Sequence, residues 1–290
     1  MDLQVYVYFF LNGIANSTCY FLLAAGLNLI FGLLGVLNFA QGALFMVGAY
    51  STFQVLYWTD NFWIAMIVGP LVSAGVGALI EFFLLRRTYQ VDLRFQMLLT
   101  FGLILVLEDI IRFIWGTKWY TISEPDILRG VVPLLGSGYP IYNIFYTGVG
   151  LFVFVALWFF LNKTLYGKKI IAASSDREAA IGLGMNVPRL FTVVFAIGSW
   201  LAGLMGVFHG PLININLDMG HRYMLTAFAV VVIGGLGNVQ GVYIASLLLG
   251  QLEAFGILYV PFFERIFMWG LMMVILLWRP RGLFGVKKEG

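Results

Sequence analysis

Residues 223–259 read YMLTAFAVVVIGGLGNVQGVYIASLLLGQLEAFGILY. A bilayer core is about 30 Å thick, and a helix of roughly 20 residues spans it. This run is too long for one ordinary span. It is broken by Gly234-Gly235-Leu236-Gly237-Asn238-Val239-Gln240-Gly241. Glycines and polar side chains interrupt helices. Irregular backbone at membrane depth is tolerated only where protein or a wet cavity satisfies it. The stretch therefore predicts two crossings or a re-entrant hairpin.

Further apolar runs lie near 6–31, 36–58, 62–85, 95–115, 141–161, 189–208 and 263–278. Of 290 residues, 61% are hydrophobic and 11% charged, against about 45–50% and about 25% in soluble domains. One soluble core cannot bury that much apolar surface, whereas lipid can cover it. No hydrophilic stretch is long enough to fold alone, so residues 1–290 read as a single transmembrane domain. Cys19, the only cysteine, lies in an apolar run. It excludes an internal disulfide or a zinc cluster and reads as a packing residue. Met1-Asp2-Leu3-Gln4 has no basic n-region and no cleavage site follows, so the first run is expected to remain as a membrane helix.

Basic residues set orientation. They cluster as Arg86, Arg87 and Arg94; as Lys163, Lys168, Lys169, Arg177 and Arg189; and as Arg279, Arg281, Lys287 and Lys288. All three clusters are placed in the cytoplasm, with the N-terminus outside and the C-terminus inside. Parity then requires the broken run to cross twice or fold back. The expected fold is an all-α integral membrane bundle of eight or nine crossings with broken or re-entrant glycine-rich segments. Residues 117–140, punctuated by Pro125, Pro133, Gly136, Gly138 and Pro140, form the longest external loop. Trp115, Trp119 and Tyr120 suit an interfacial aromatic belt. Gly32 to Gly42 echoes Gly235 to Gly241, as two halves of a repeated transporter would. Coincidence among 34 glycines competes with that reading.

Residues 163–188 are the most informative hydrophilic segment. Ser175-Asp176-Arg177-Glu178 has the capping-box pattern, with Ser175 as N-cap and Glu178 at N3. Asp176 suits the positive end of the helix dipole. The helix is expected to run through Ala179, Ala180 and Ile181 and to stop near Gly182 or Gly184. Asn186 and Pro188 fit the start of the next helix. So short a helix needs a surface to dock on: a cytoplasmic partner or its own bundle.

Catalytic patterns are missing. There is no phosphate-loop motif, since Gly167-Lys168-Lys169 lacks the upstream glycine and the hydroxyl. The only histidines, His209 and His221, form no His-Glu-x-x-His zinc motif. Gly136-Ser137-Gly138 is a turn rather than a nucleophile elbow. No cofactor, metal or nucleic acid is expected. Polar groups inside a membrane default to functional candidates: Asn12, Asn16, Ser17, Thr18, Asn28, Asn38, Gln41, Asn238 and Gln240. Asn38, Gln41, Asn238 and Gln240 flank broken helices and are the translocation-pathway candidates. Glu108, Asp109 and Arg112 read as an intrahelical ion-pair set, and Glu81 as paired with Arg86. No deep unpaired carboxylate is evident.

Four ordered stretches carry a resemblance. They are Gly26-Leu27-Asn28-Leu29-Ile30-Phe31-Gly32 with Leu37-Asn38-Phe39-Ala40-Gln41-Gly42 and Met46-Val47-Gly48-Ala49-Tyr50; Ala172-Ala173 through Asp176, Glu178-Ala179-Ala180 and Gly182-Leu183-Gly184-Met185-Asn186; Met219-Gly220, Ala227-Phe228, Gly234-Gly235-Leu236-Gly237 and Gly241; and Arg279-Pro280-Arg281-Gly282-Leu283-Phe284-Gly285. Together they resemble the branched-chain amino acid (Liv-type) ABC permeases, in the LivH-like branch. The family often has His where Gln41 stands, so no titrating role is expected there. The resemblance implies a non-catalytic inner-membrane permease subunit. It implies a second homologous permease, two cytoplasmic ATPase subunits and an extracytoplasmic solute-binding protein as partners. The helix around Asp176, Arg177, Glu178, Ala179, Ala180 and Gly182 would be the segment coupling to the ATPase. Family substrates include amino acids, amides and urea. A secondary transporter or channel for a small solute is the rival reading, and a membrane enzyme is disfavoured.

Overall fold

The computed structural model describes residues 3–89, 91–134, 137–260, 264–280 and 282–285. Met1, Asp2, Gly136, Arg281, Lys287 and Lys288, used above, lie outside the described residues. The chain is almost entirely helical: α1 (Leu3–Leu34), α2 (Gln41–Thr59), α3 (Phe62–Phe83), α4 (Leu93–Trp115), α5 (Ile141–Lys163), α6 (Leu165–Ser175), α7 (Arg177–Gly182), α8 (Val187–His209), α9 (Met219–Gly234), α10 (Val239–Tyr259) and α11 (Glu264–Trp278). Two short antiparallel strands, β1 (Val131–Leu134) and β2 (Ser137–Pro140), pair Val131 with Pro140 and Leu134 with Ser137. They give the loop 117–140 its structure, and Tyr120 bridges to Ile215 beside them.

Among the described residues, five segments are long and apolar enough to cross a membrane: Leu3–Leu34, Phe62–Thr88, Ile141–Lys163, Val187–Leu212 and Val239–Tyr259. By length and composition the count therefore stops short of eight or nine. Met219–Gly234 and Met268–Trp278 are apolar but short, and α4 carries Glu108, Asp109 and Arg112. The long run 223–259 is two helices, which both expected readings allow. Gly235 and Gly237 turn between α9 and α10 with φ of +100° and +81°.

The core is built on α1 and α8, the two most buried spans. They cross at Gly26 and Gly198, where a Cβ on either would run into the other's backbone carbonyl. In lipid, small residues let backbones approach and gain dispersion contact. Around this crossing α1 packs on α10, and α8 packs on α3. The α3–α8 seam is pinned by Ser73, which donates to the carbonyls of Leu44 (2.8 Å) and Ser199 (2.9 Å).

The pairings form two matching sets. Exchanging α1 with α8, α2 with α9, α3 with α10 and α4 with α11 turns the α1–α10, α2–α3 and α2–α4 contacts into α8–α3, α9–α10 and α9–α11 contacts, all of which occur. The link between α1 and α2 thus corresponds to the link between α8 and α9. Their sequences agree: Leu37-Asn38-Phe39-Ala40-Gln41-Gly42 beside Ile215-Asn216-Leu217-Asp218-Met219-Gly220. In each, the Asn Oδ1 accepts the amide two residues on, Ala40 at 3.1 Å and Asp218 at 3.0 Å. Each link so turns the chain into a helix whose N-terminus lies inside the bundle. There Gly42 and Gly220 abut, and a Cβ on Gly42 would strike the Gly220 carbonyl. The sequence suggests a repeat of Gly32–Gly42 at Gly235–Gly241, with coincidence as its rival. The structural counterpart of Gly32–Gly42 lies earlier.

Candidate functional site

Two regions combine polar chemistry with unusual placement, one at each end of the bundle. At the first end lies the segment 163–188, which carries Lys163, Lys168, Lys169 and Arg177. That segment holds two helices, α6 and α7. Thr164 caps α6 by accepting from Gly167 N at 3.0 Å. The expected N-cap of α7, Ser175, instead closes α6, donating to Ile171 O at 3.1 Å. Asp176 is the cap and accepts from Ala179 N at 2.9 Å. One residue of register separates expectation from structure, because Asp caps as well as Ser and Ser175 is claimed by the preceding helix. α7 ends in a Schellman arrangement: Met185 N donates to Ala180 O (3.1 Å), Gly184 N donates to Ile181 O (2.9 Å), and Gly184 has φ +77°. Asn186 caps α8, accepting from Arg189 N at 3.2 Å.

The anchor of α7 is Arg177. Its guanidinium lies 5.5 Å from the ring centroids of both Tyr89 and Phe191, and those rings pack edge to face at 5.3 Å. Tyr89 in turn donates to Glu81 at 2.8 Å. Glu81 is fully buried and also accepts from Thr192 (2.6 Å) and Arg86 (3.3 Å). Burial, with the Glu81 carboxylate next, pushes the Tyr89 hydroxyl well above the usual tyrosine range, so it stays a proton donor. Ala180 is buried, while Asp176, Glu178, Ala179 and Gly182 are exposed. Around them Leu165, Tyr166, Ile181 and Leu183 expose apolar side chains, Leu183 at 77%.

The pathway candidates do not come together. Asn38 and Gln41 are fully buried in the middle of the bundle. Asn38 Nδ2 donates to Gln41 Oε1 (3.3 Å), and Gln41 Nε2 donates to Gly198 O (2.8 Å). They hold the α1–α2 link against α8. Asn238 caps α10, accepting from Gly241 N at 3.0 Å. With Gln240 and Asn28 it lines a cleft of about 250 Å³ at the basic end.

The second region was missed by the sequence reading, although its central residue lies in the run first quoted. Glu253 on α10 accepts from Asn16 (3.3 Å) and from Tyr20, both on α1. It borders a cavity of about 280 Å³ with Cys19, Asn143, His209 and Tyr223. His209 Nε2 is 2.8 Å from the Tyr223 hydroxyl. A second chamber of about 620 Å³ shares Tyr20, Tyr223 and Glu253 and adds Arg222 from the first turn of α9. Glu253 is thus a half-buried carboxylate with partners, which is not the deep unpaired carboxylate that the sequence lacks. Nearby, Arg112 pairs with Asp109 (2.9 Å) and Glu108 (3.2 Å) as expected, and Glu108 also faces His221 at 3.1 Å. Among the described residues, no three His, Cys, Asp or Glu side chains converge as a metal would require.

Residues 9–277 match the family described as branched-chain amino acid transport system, permease component. The chain is 25% identical to the permease protein LivH of Salmonella typhimurium, over 94% of each chain. It is 26% identical to BraD of Pseudomonas aeruginosa, over 98% of this chain and 97% of that one. It is 28% identical to LivM of Salmonella typhimurium, over 91% of this chain and 67% of that one. Among solved structures it is similar to PsaBC from Streptococcus pneumoniae in complex with Fab, with TM-score 0.49 and 14% identity over 91% of this chain and 89% of that one. Matched along nearly its whole length, this multi-pass inner-membrane chain belongs to the family of branched-chain amino acid transport permease components, which are non-catalytic transmembrane subunits.

Proposed function

We propose that this chain is one permease of a binding-protein-dependent ABC importer for amino acids, and that α7 couples it to a cytoplasmic ATPase. Two relatives, LivH and LivM, are distinct permease proteins of high-affinity branched-chain amino acid systems. Their shared likeness to this chain supports pairing with a second homologous permease. Two ATPase subunits and an extracytoplasmic solute-binding protein complete the assembly. The chain acts as one membrane unit of nine crossings, α1–α5 and α8–α11, with the N-terminus outside. Clustering of basic residues at one end supports placing that end in the cytoplasm.

The observation that carries the coupling role is the mounting of α7. Arg177 fixes it to the Tyr89–Phe191 ring pair, which Glu81 ties to α3 and α8. Its outward side keeps Ile181 54% and Leu183 77% exposed. Such apolar exposure on a polar surface marks an interaction site. An ATPase that closes on ATP and holds α7 differently in its two states would shift the bundle between outward and inward forms.

Glu253 favours a second reading, an ion-coupled carrier, since intramembrane carboxylates serve proton relays. Reconstitution separates the two. Uptake should require the partner permease, ATPase subunits, binding protein and ATP. Uptake by this chain alone, driven by an ion gradient, would overturn the importer reading.

A further inference from the structure

We propose that the cleft at the basic end of the bundle binds the phosphate headgroup of an anionic phospholipid. The proposal does not depend on what the chain transports. The cleft, of about 250 Å³, lies where the turn between α9 and α10 meets α1, α5 and α6. Three sets of donors border it. The first is the N-terminus of α10. The first four amides of a helix have no partner within it. Asn238 satisfies two of them, its Oδ1 accepting from Gly241 N (3.0 Å) and its carbonyl from Val242 N (3.1 Å). The amides of Val239 and Gln240 are left, at the positive end of the dipole of a 21-residue helix. Helix N-termini of this kind bind phosphate. The second donor is Asn28, which lines the cleft at 1% exposure. Its Oδ1 accepts from Gly237 N at 2.8 Å, which fixes the way the amide faces, and its Nδ2 has no partner. A buried donor without an acceptor is costly unless a ligand supplies one. The third is Lys163, whose ammonium lies 5.8 Å from the ring centroid of Trp158 on the cleft wall. It has no ion-pair partner among the described residues.

The surroundings favour a lipid over a dissolved anion. Leu33, Leu161 and Ile171 line the rest of the cleft, and none of its described lining residues is acidic. Beyond Trp158, one face of α5 exposes Phe152, Val155 and Phe159, an apolar strip along which acyl chains can lie. Trp and Lys together at a helix end act as interfacial anchors, the ring at headgroup level and the ammonium reaching out of the hydrocarbon. Lys168 and Lys169 stand exposed on the adjoining α6. Each basic residue near the surface adds attraction for anionic lipid, and basic pockets between membrane helices hold such headgroups. A phosphate held here would tie the α9–α10 turn to α5 and α6, beside the segment that carries α7.

The test uses the complete purified transporter in detergent, with phosphatidylglycerol and phosphatidylcholine as probes and native mass spectrometry counting the lipid retained on this chain. Saturable retention of phosphatidylglycerol is expected, without equal retention of phosphatidylcholine. Lys163→Gln should weaken it about fivefold, the scale of one basic residue at an anionic surface. Val239→Pro removes one open amide where proline suits the helix start, because Asn238 before it is already extended (φ −110°, ψ 104°); it should weaken retention severalfold. Asn28→Asp keeps the acceptor for Gly237 and replaces the open donor by an oxygen, and should weaken retention at least about tenfold. Lys118→Gln, the same charge loss on the loop after α4 at the other end of the bundle, should leave it within about twofold. Melting of Lys163→Gln and Val239→Pro in phosphatidylcholine nanodiscs should stay close to wild type. Equal retention of the two lipids, a loss in Lys118→Gln matching that in Lys163→Gln, or Lys163→Gln and Val239→Pro both within about twofold of wild type would overturn the proposal. Displacement of phosphatidylglycerol by inorganic phosphate would assign the cleft to a free anion and overturn the lipid as its occupant.

Discussion

Arg86→Ala should destabilise this protein more than Glu81→Ala/Arg86→Ala does. The Glu81 side chain is 0% exposed and the Arg86 side chain 30% exposed. Removing Arg86 leaves a buried carboxylate whose remaining donors are Tyr89 and Thr192. Stranding one member of a buried ion pair costs about 3–5 kcal/mol. The two surviving hydroxyl donors offset part of that, at about 1 kcal/mol each, so about 1–3 kcal/mol is expected. Glu81→Ala strands a guanidinium that is already part-exposed, packs 4.5 Å from the Phe82 centroid and also donates to Thr192. It can turn towards water, so the loss should be about 1–3 kcal/mol. The double variant removes both charges and should recover at least about 1 kcal/mol relative to Arg86→Ala. Thermal unfolding of the detergent-purified transporter, read on all three variants and the wild type, measures the order. Additive losses, or an Arg86→Ala protein as stable as wild type, would refute the view that Glu81 and Arg86 act as a pair in the core.

Two other outcomes follow from the same structure. Ile181→Asp sits on the exposed side of α7, so stability should change by less than about 0.5 kcal/mol. Amino-acid uptake per ATP hydrolysed should nevertheless fall severalfold in reconstituted vesicles; unchanged coupling would remove α7 from the docking surface. Gly198→Leu forces a side chain into the Gly26 carbonyl and the Ile30 side chain, and overpacking of that kind costs about 1–3 kcal/mol or more. Expression and melting should both drop, and a normally stable variant would show that α1 and α8 do not meet as described.

The helices and their basic end were legible because apolar run length and Lys/Arg position are one-dimensional signals. The short helix α7 was legible to within one residue. Ser175 and Asp176 both satisfy the cap chemistry, and only the reach of α6 decides between them. Asn38 and Gln41, read from the sequence as pathway candidates, are buried polar groups. Burial alone does not separate a group that lines a passage from one that locks a link, and their partners, each other and the Gly198 carbonyl, are not visible in sequence. The repeat was detectable as Leu-Asn-Phe-x-x-Gly against Ile-Asn-Leu-x-x-Gly, but the glycine-rich turn at Gly235 drew the comparison instead. Glu253 was visible as the only carboxylate in the run 223–259. Its importance comes from Asn16 and Tyr20, more than 230 residues away along the chain.

The most direct measurement of the coupling claim is proximity of α7 to the ATPase. Cys19 is the only cysteine and is buried, so a Cys19→Ala, Leu183→Cys protein carries one exposed thiol. In membranes containing the whole transporter, that thiol should crosslink to an ATPase subunit, with a yield that changes when ATP is added. It should resist membrane-impermeant reagents applied from the outer side. Labelling from outside, or no crosslink in either nucleotide state, would contradict the assignment.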